Sequence, residues 1–291
     1  MFPTDRLDEI QANPADFRLL ERCPLTRMEM PVTLNEAHGD EVPAVLMDLE
    51  TTGLDPAECD IIELGMVSFH YSPAMGRIQR VNAVTSMFED PGYPIPDNIQ
   101  GITGITTEMV SGHALDFDSV AEWFSHDPLV IAHNALFDRR FFERRFPELS
   151  NLRWGCSKND PDWTVLGYES DKLEYLVLKN GAFYEGHRAH IDCLATIWLI
   201  AQHESIMGKI HNRSEAEDVV IWATGAPFEV KDDLKKRGYR WNNGDNGHPK
   251  AWYCTIEENA LPDETEFLSR LFPGGDQRAT VFRKTARERF A

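Results

Sequence analysis

Two carboxylates two positions apart mark where this chain could do chemistry. Residues 45–55 read Val-Leu-Met-Asp-Leu-Glu-Thr-Thr-Gly-Leu-Asp, an apolar run that ends in Asp48 and Glu50 and turns at Gly53. In a strand, residues i and i+2 share a face, so these acids aim side by side. Like charges that close resist joint ionisation unless a cation sits between them. Hard oxygen donors of this kind suit Mg²⁺ or Mn²⁺ better than zinc. The solvent face of an ordinary edge strand would tolerate the same tripeptide, so the pair needs partners from elsewhere in the chain.

Two further acids qualify. Asp138 falls inside a helical segment that starts just after a buried strand. Asp192 falls on a late helix, in His187-Arg188-Ala189-His190-Ile191-Asp192-Cys193-Leu194-Ala195, whose face is otherwise apolar. A carboxylate rarely points inward from such a face without a partner. His187, five residues before Asp192, sits at the helix start and can reach the same spot from a loop. His190 competes with it, but residues i and i+2 of a helix do not share a face, which turns His190 away from Asp192.

The elements that must position these groups follow from periodicity and turn signals. Strands are predicted over Val42–Glu50, Ile61–Phe69 and Arg77–Phe88, joined by short connections as an antiparallel meander that opens a mixed sheet. A short helix and loop follow over 95–106, and a helix begins at Asp118, capped by Asp116 or Asp118. Pro128–Ala132 reads as a short buried strand. Arg139–Phe146 continues a helix with Phe141, Phe142 and Phe146 as a core stripe. Residues 154–170 read as a long loop, Asp171–Lys179 as a helix stopped at Asn180-Gly181, and His187–His203 as the last helix. One more helix is predicted over Asp8–Arg22. Strands first and then alternating helices and strands give an α/β fold with helices on both faces of the sheet.

The chain has 291 residues, enough for one large domain and a smaller one. No apolar run reaches membrane-spanning length, and Met1–Asp5 does not open like a signal peptide. Five scattered cysteines (23, 59, 156, 193 and 254) lack paired metal-ligand spacing. That usage fits reduced thiols and a cytoplasmic location. The net charge of −19 is uneven: of 29 Lys/Arg and 48 Asp/Glu, residues 213–291 hold 13 and 14. An acidic body argues against tight, non-specific duplex binding, while divalent cations at a site would reverse the local sign.

Together these segments resemble the DEDDh-type 3′→5′ exonucleases of the DnaQ-like superfamily, which have an RNase H-like fold. The matching elements are Asp48-Leu49-Glu50-Thr51-Thr52-Gly53, His133-Asn134-x-x-Phe137-Asp138 and His187-x-Ala189-x-x-Asp192-x-x-Ala195, in that order. The segment Ile102-Thr103-Gly104-Ile105-Thr106 resembles the loop these enzymes lay along the 3′-terminal nucleotide. The resemblance covers about residues 43–205. It implies that Asp48, Glu50, Asp138 and Asp192 organise two divalent cations, Mg²⁺ or Mn²⁺, roughly 4 Å apart across an in-line phosphoryl displacement. It also implies that His187 takes the proton from the attacking water, a task an imidazole with a pKa near ~6.5 can do at neutral pH.

By the same resemblance, Thr51, Leu54, Ile102, Thr106 and Asn134 contact the substrate, with Leu54 and Ile102 against terminal bases. His133 is assigned no proton transfer. The expected products are 5′-mononucleotides from single-stranded 3′ ends, with DNA favoured over RNA. The other readings are an exoribonuclease, a non-catalytic binder and a polymerase-associated proofreading subunit. The expectation includes no membrane partner and allows a homodimer.

The domain plan is an extension over 1–42, an exonuclease domain over 43–208 and a small α+β domain over 215–291. In the last, a helix over Val230–Arg237 ends at Gly238, and strands flank the loop 243–247. Basic residues interleave there with Tyr239, Trp241, Trp252 and Tyr253, a pattern that suits single-stranded nucleic acid. Trp241 and Trp252 are read as core, as a domain this small must recruit its largest side chains to have one. The arrangement resembles the accessory domain of exonuclease X-like proteins. The tail Arg283-Lys284-x-x-Arg287-x-Arg289 is basic, and either touches phosphate or caps a surface.

Overall fold

The computed structural model describes residues 4–244 and 247–290, so Asp245 and Asn246 of the expected loop lie outside the described residues. One compact unit extends to His211 and a second comprises Asn212–Arg289.

The first unit opens with helix α1 (Leu7–Ala12) and two short strands, β1 (Glu21–Arg22) and β2 (Val32–Thr33). The helix expected over Asp8–Arg22 stops after a turn and a half, because Pro14 disfavours helical backbone at Asn13. A 3-10 turn at Pro14–Asp16 and the short strand β1 take its place, and Cys23 and Leu25 beyond it are buried in the main core. Next come the long strands β3 (Val42–Thr51), β4 (Ile61–Ser72) and β5 (Arg77–Phe88), then helices α2 (Asp97–Thr103), α3 (Thr107–Val110) and α4 (Phe117–Glu122). Asp116 caps α4 by accepting the Ser119 N–H. Strand β6 (Leu129–Ala132), helix α5 (Ala135–Arg145), strand β7 (Arg153–Cys156), helix α6 (Leu173–Lys179), strand β8 (Ala182–Phe183) and helix α7 (Ala189–Ala201) complete the series.

Six strands form one sheet in the order β2-β5-β4-β3-β6-β7. The antiparallel meander β3–β4–β5 is as expected, and β6 and β7 run parallel to β3 and to each other. Strand β7 lies partly within the segment expected to be a loop. Its Gly155 and polar surroundings hide it from a periodicity argument, yet Trp154 and Cys156 are buried in register with β6.

Strand β3 alternates between two cores. Ala44 and Leu46 pack with α6 and α7 in one cluster, while Val45, Met47 and Leu49 pack with α4 and α5 in the other. Continuing the even positions puts Asp48 and Glu50 on the α7 face, where the strand runs out of apolar residues. Layered helices on both sides of this mixed sheet make the RNase H-like fold.

Helix α8 (Ile206–Glu215) spans residues 209–214, which the domain plan leaves between its two domains. The second unit contains strand β9 (Asp218–Ala223), helix α9 (Lys231–Lys236), strands β10 (Arg240–Trp241) and β11 (Trp252–Glu257), helices α10 (Leu261–Leu271) and α11 (Gly275–Arg278), and strand β12 (Thr280–Lys284). Its antiparallel sheet has the order β10-β11-β9-β12. The core is Ile221, Ala223, Leu234, Tyr239, Cys254, Leu268 and Phe272, with Trp252 half-buried against it.

Trp241 departs from expectation: it is 47% exposed on the edge strand, because Tyr239 and residues of β9 and α10 already fill the interior. The tail is structural at Arg289, which is buried and donates to Asp218 Oδ2 at 2.7 Å and to the carbonyl oxygens of Arg213 and Ala216. Among the described residues, no helix is long and apolar enough to cross a membrane.

Candidate active site

Asp48, Glu50 and Asp192 converge. Each offers a carboxylate oxygen, and these atoms lie within 4.8 Å of one another. The acids come from the carboxyl end of β3 and the first turn of α7, 144 positions apart at the widest. Asp138, on α5, is not in that trio, but it is buried close enough that its charge acts on Asp48 and Glu50.

A single glycine permits the convergence. Gly65 on β4 is directly opposite Asp48, and a Cβ there would stand 2.3 Å from the Ala189 carbonyl carbon and the His190 nitrogen. Without that methyl, the start of α7 lies against the sheet. One turn along, the Cys193 thiol donates to main-chain carbonyls, 3.5 Å from the Gly65 oxygen and 3.7 Å from that of Leu46.

The electrostatics are those of a crowded anionic site. Burial, then repulsion from Asp192, Asp138, Glu50 and Glu63, pushes Asp48 well above the usual carboxylate range. Burial and the same neighbours raise Glu50 to about 8. Burial raises Asp138 to about 7 and also raises Asp192. Asp192 is partly relieved by the Tyr184 hydroxyl, which donates to Oδ1 at 3.1 Å, and by the Arg188 N–H, which donates to Oδ2 at 3.2 Å. The donor set is entirely carboxylate oxygen, with no imidazole or thiolate among the clustered atoms, so it fits a hard divalent cation.

These shifts set a pH dependence. A carboxylate whose folded pKa is raised favours the protonated fold, so stability is lost as pH climbs from its unfolded value, near ~4, through the folded one. For Asp138 and Glu50 that window runs up to about 7 and about 8. The metal-free protein is therefore expected to melt several degrees lower at pH 8 than at pH 5. Millimolar Mg²⁺ or Mn²⁺ should recover more of the loss at pH 8, as read by calorimetry with and without EDTA. A cation effect equal at both pH values would contradict the assignment.

His187 is exposed and lies two residues before α7, not inside it as expected. Its φ of +64° is in the left-handed region, which breaks the helix there and leaves the imidazole on the connecting loop. His190, in the first turn of α7, is near Glu63. Its Nδ1 is 3.5 Å from Glu63 Oε1.

Glu63 is the residue that sequence reasoning missed. It is on β4 directly across from Glu50 and is fully buried. It accepts hydrogen bonds from Ser86 Oγ at 2.5 Å, the Ala189 N–H at 3.0 Å and the Arg188 guanidinium at 3.1 Å. Burial opposes its charge, yet His190 together with these donors holds it at about 2, so it is ionised. It thereby anchors the α7 start, whose first N–H groups need acceptors. The available signal was a lone acid inside the apolar run Ile61-Ile62-Glu63-Leu64, and such an acid needs a fixed partner.

The remaining candidates are dispersed around this centre. Thr51 is buried, and its hydroxyl donates to the Gly53 carbonyl at 2.6 Å. Thr106 caps α3, accepting the Met109 N–H. Leu54 is 85% exposed and Ile102 55% exposed, each on a turn or short helix. Asn134 is exposed at the start of α5 without capping it. His133 contacts Ser157 Oγ at 3.0 Å and the Asp171 carbonyl at 2.8 Å. Burial lowers its pKa to about 4, so it is a neutral brace for the following loop.

Clustered acids at the carboxyl end of the first long strand of an RNase H-like sheet make a site suited to hard divalent cations. The family model described as Exonuclease (RNase_T) matches residues 45–200, and the chain belongs to that family, within the DnaQ-like superfamily. Among similar proteins are the PolC-type DNA polymerase III of Halalkalibacterium halodurans, 30% identical over 198 residues, and that of Thermotoga maritima, 31% over 195. These alignments cover 66% and 63% of this chain, which spans only 12% and 14% of the two relatives' length. In fold, the chain is similar to E. coli exonuclease I solved with a dT13 oligonucleotide. The TM-score is 0.52 at 12% identity, covering 81% of this chain and 73% of that one.

Proposed function

We propose that the protein is a metal-dependent 3′→5′ exonuclease that releases 5′-mononucleotides from single-stranded ends, with DNA as the substrate. The observation that carries this reading is the meeting of Asp48, Glu50 and Asp192 within 4.8 Å, where joint ionisation is opposed unless a cation sits among the carboxylates. Asp48, Glu50 and Asp192, with Asp138 behind them, would hold two Mg²⁺ or Mn²⁺ ions. When bound, such ions acidify a coordinated water and neutralise charge on the phosphate and the departing oxygen.

The chain's own groups do the rest. The exposed His187 stands on a loop next to Asp192, where its imidazole can accept the proton of the attacking water. Glu63, Arg188 and Tyr184 fix the helix start and the Asp192 carboxylate, so the acids keep their geometry during turnover. Leu54 and Ile102, large apolar side chains left in water, would pack against bases at the strand end. The relatives' identity as DNA polymerases favours DNA.

Strand polarity tests the proposal. A 5′-labelled single-stranded oligonucleotide is expected to shorten as a ladder with Mg²⁺ or Mn²⁺, and a 3′-labelled one to give labelled mononucleotide at once. EDTA should stop both. Immediate mononucleotide from the 5′-labelled strand, or undiminished activity in EDTA, would reject the assignment.

A further inference from the structure

The second unit exposes a run of aromatic rings interleaved with ammonium groups, and nothing in the acid cluster accounts for it. Trp241 and Trp252 are directly opposite each other on β10 and β11, so their rings share one sheet face, with centroids 5.5 Å apart in an edge-to-face pair. Lys235 on α9 holds its Nζ 5.8 Å from the Trp252 ring centre. One turn earlier, Lys231 Nζ is 3.8 Å from the ring centre of Phe228, which is 73% exposed.

Positions 231 and 235 fall on one stripe of the helix. Asp232 and Asp233 are turned from that stripe by roughly 80° and 180°. Between residues 228 and 252, six Lys/Arg outnumber four Asp/Glu, in a chain of net charge −19. The exposed Trp241 is also fixed in place. Its indole N–H donates to Asn243 Oδ1 at 2.9 Å, and Asn242 donates to the Pro249 carbonyl at 2.9 Å, closing the loop behind the edge strand.

A rigid ring held half in water beside others flanked by ammonium groups has the two parts a single nucleic-acid strand requires. Ring faces stack bases whatever their sequence, and the ammoniums meet the phosphates. An acidic partner would use the lysines and leave the rings idle. An apolar partner would have to desolvate the lysines. We propose that the edge formed by Phe228, Lys231, Lys235, Trp241 and Trp252 is a second binding site for single-stranded nucleic acid, separate from the acid cluster. This rests on the exonuclease reading only in naming the same polymer as ligand.

The test uses the full chain in EDTA, where no turnover occurs, with fluorescence anisotropy of 5′-labelled dT₂₀ and U₂₀. Trp241→Ala is expected to weaken affinity about tenfold and Trp241→Phe to restore most of it. The double variant Lys231→Glu/Lys235→Glu should weaken binding and flatten the plot of log affinity against log salt by about 1.4, the value for two lost phosphate contacts on a single strand. Photo-crosslinked dT₂₀ should map to peptides within 228–252. Loss of affinity for both polymers indicates stacking without sugar readout, and loss for one alone assigns the site to that polymer. Unchanged affinity in Trp241→Ala and in the lysine double variant would overturn the proposal. Failure of wild-type protein to release mononucleotides would reject the exonuclease reading without touching this result.

Discussion

Asp192→Asn is expected to reduce mononucleotide release by about 10³-fold or more while leaving the protein folded. The substitution keeps shape and removes one of three carboxylates whose oxygens lie within 4.8 Å, so a cation loses both a ligand and much of its electrostatic attraction. The folded state itself should gain. Asp192 is held above its usual range by burial, so replacing the charge with an amide relieves repulsion on Asp48 and Glu50. The expected signature is paired: turnover collapses, and the metal-free melting temperature stays level or rises. Wild-type turnover with Mg²⁺ would show that Asp192 has no part in the chemistry.

The second large effect is expected at Gly65, a residue with no functional group. Gly65→Val would place a branched side chain where even one methyl meets the Ala189 and His190 backbone at 2.3 Å. Main chain cannot move aside as a flexible side chain can, so the start of α7 must lift from the sheet. Lifting it carries Asp192 away from Asp48 and strips the Ala189 N–H from Glu63. Activity should fall as far as in Asp192→Asn, but here stability falls too, by more than the 1–3 kcal/mol typical of core overpacking. Measuring both in one variant separates a positioning fault from a lost ligand. A stable Gly65→Val with normal turnover would mean that α7 does not need this close approach.

The two cases show what could be read from the chain before it was folded. The acids on β3 were legible because strand alternation is local: two residues apart means one face. Asp192 was legible because an acid on an apolar helix face demands a reason. Gly65 and Glu63 were not, because their roles depend on which helix crosses above them, and that is a property of the tertiary structure. Strand β7 was obscured by Gly155 and the polar residues that follow it, and it forms because β6 offers an edge to pair with. Trp241 was misjudged for a related reason. Size and hydrophobicity argue for burial, but a two-residue edge strand offers one face to the interior and that space was already taken.

The register break between Glu50 and Thr51 has a further effect. Up to Glu50, each residue of β3 has a fixed opposite number on β4, and beyond it the count shifts by one. The turn that follows is then closed by its own clasp, with Thr52 N–H donating to the Asp60 carbonyl and Asp60 N–H returning to Thr52 Oγ1. The segment 53–59, with Leu54 at its tip, is thus an insert hung from two adjacent points. Its length and sequence can drift without dragging the acids out of line, so the exposed turn is free to vary while the clustered carboxylates stay fixed.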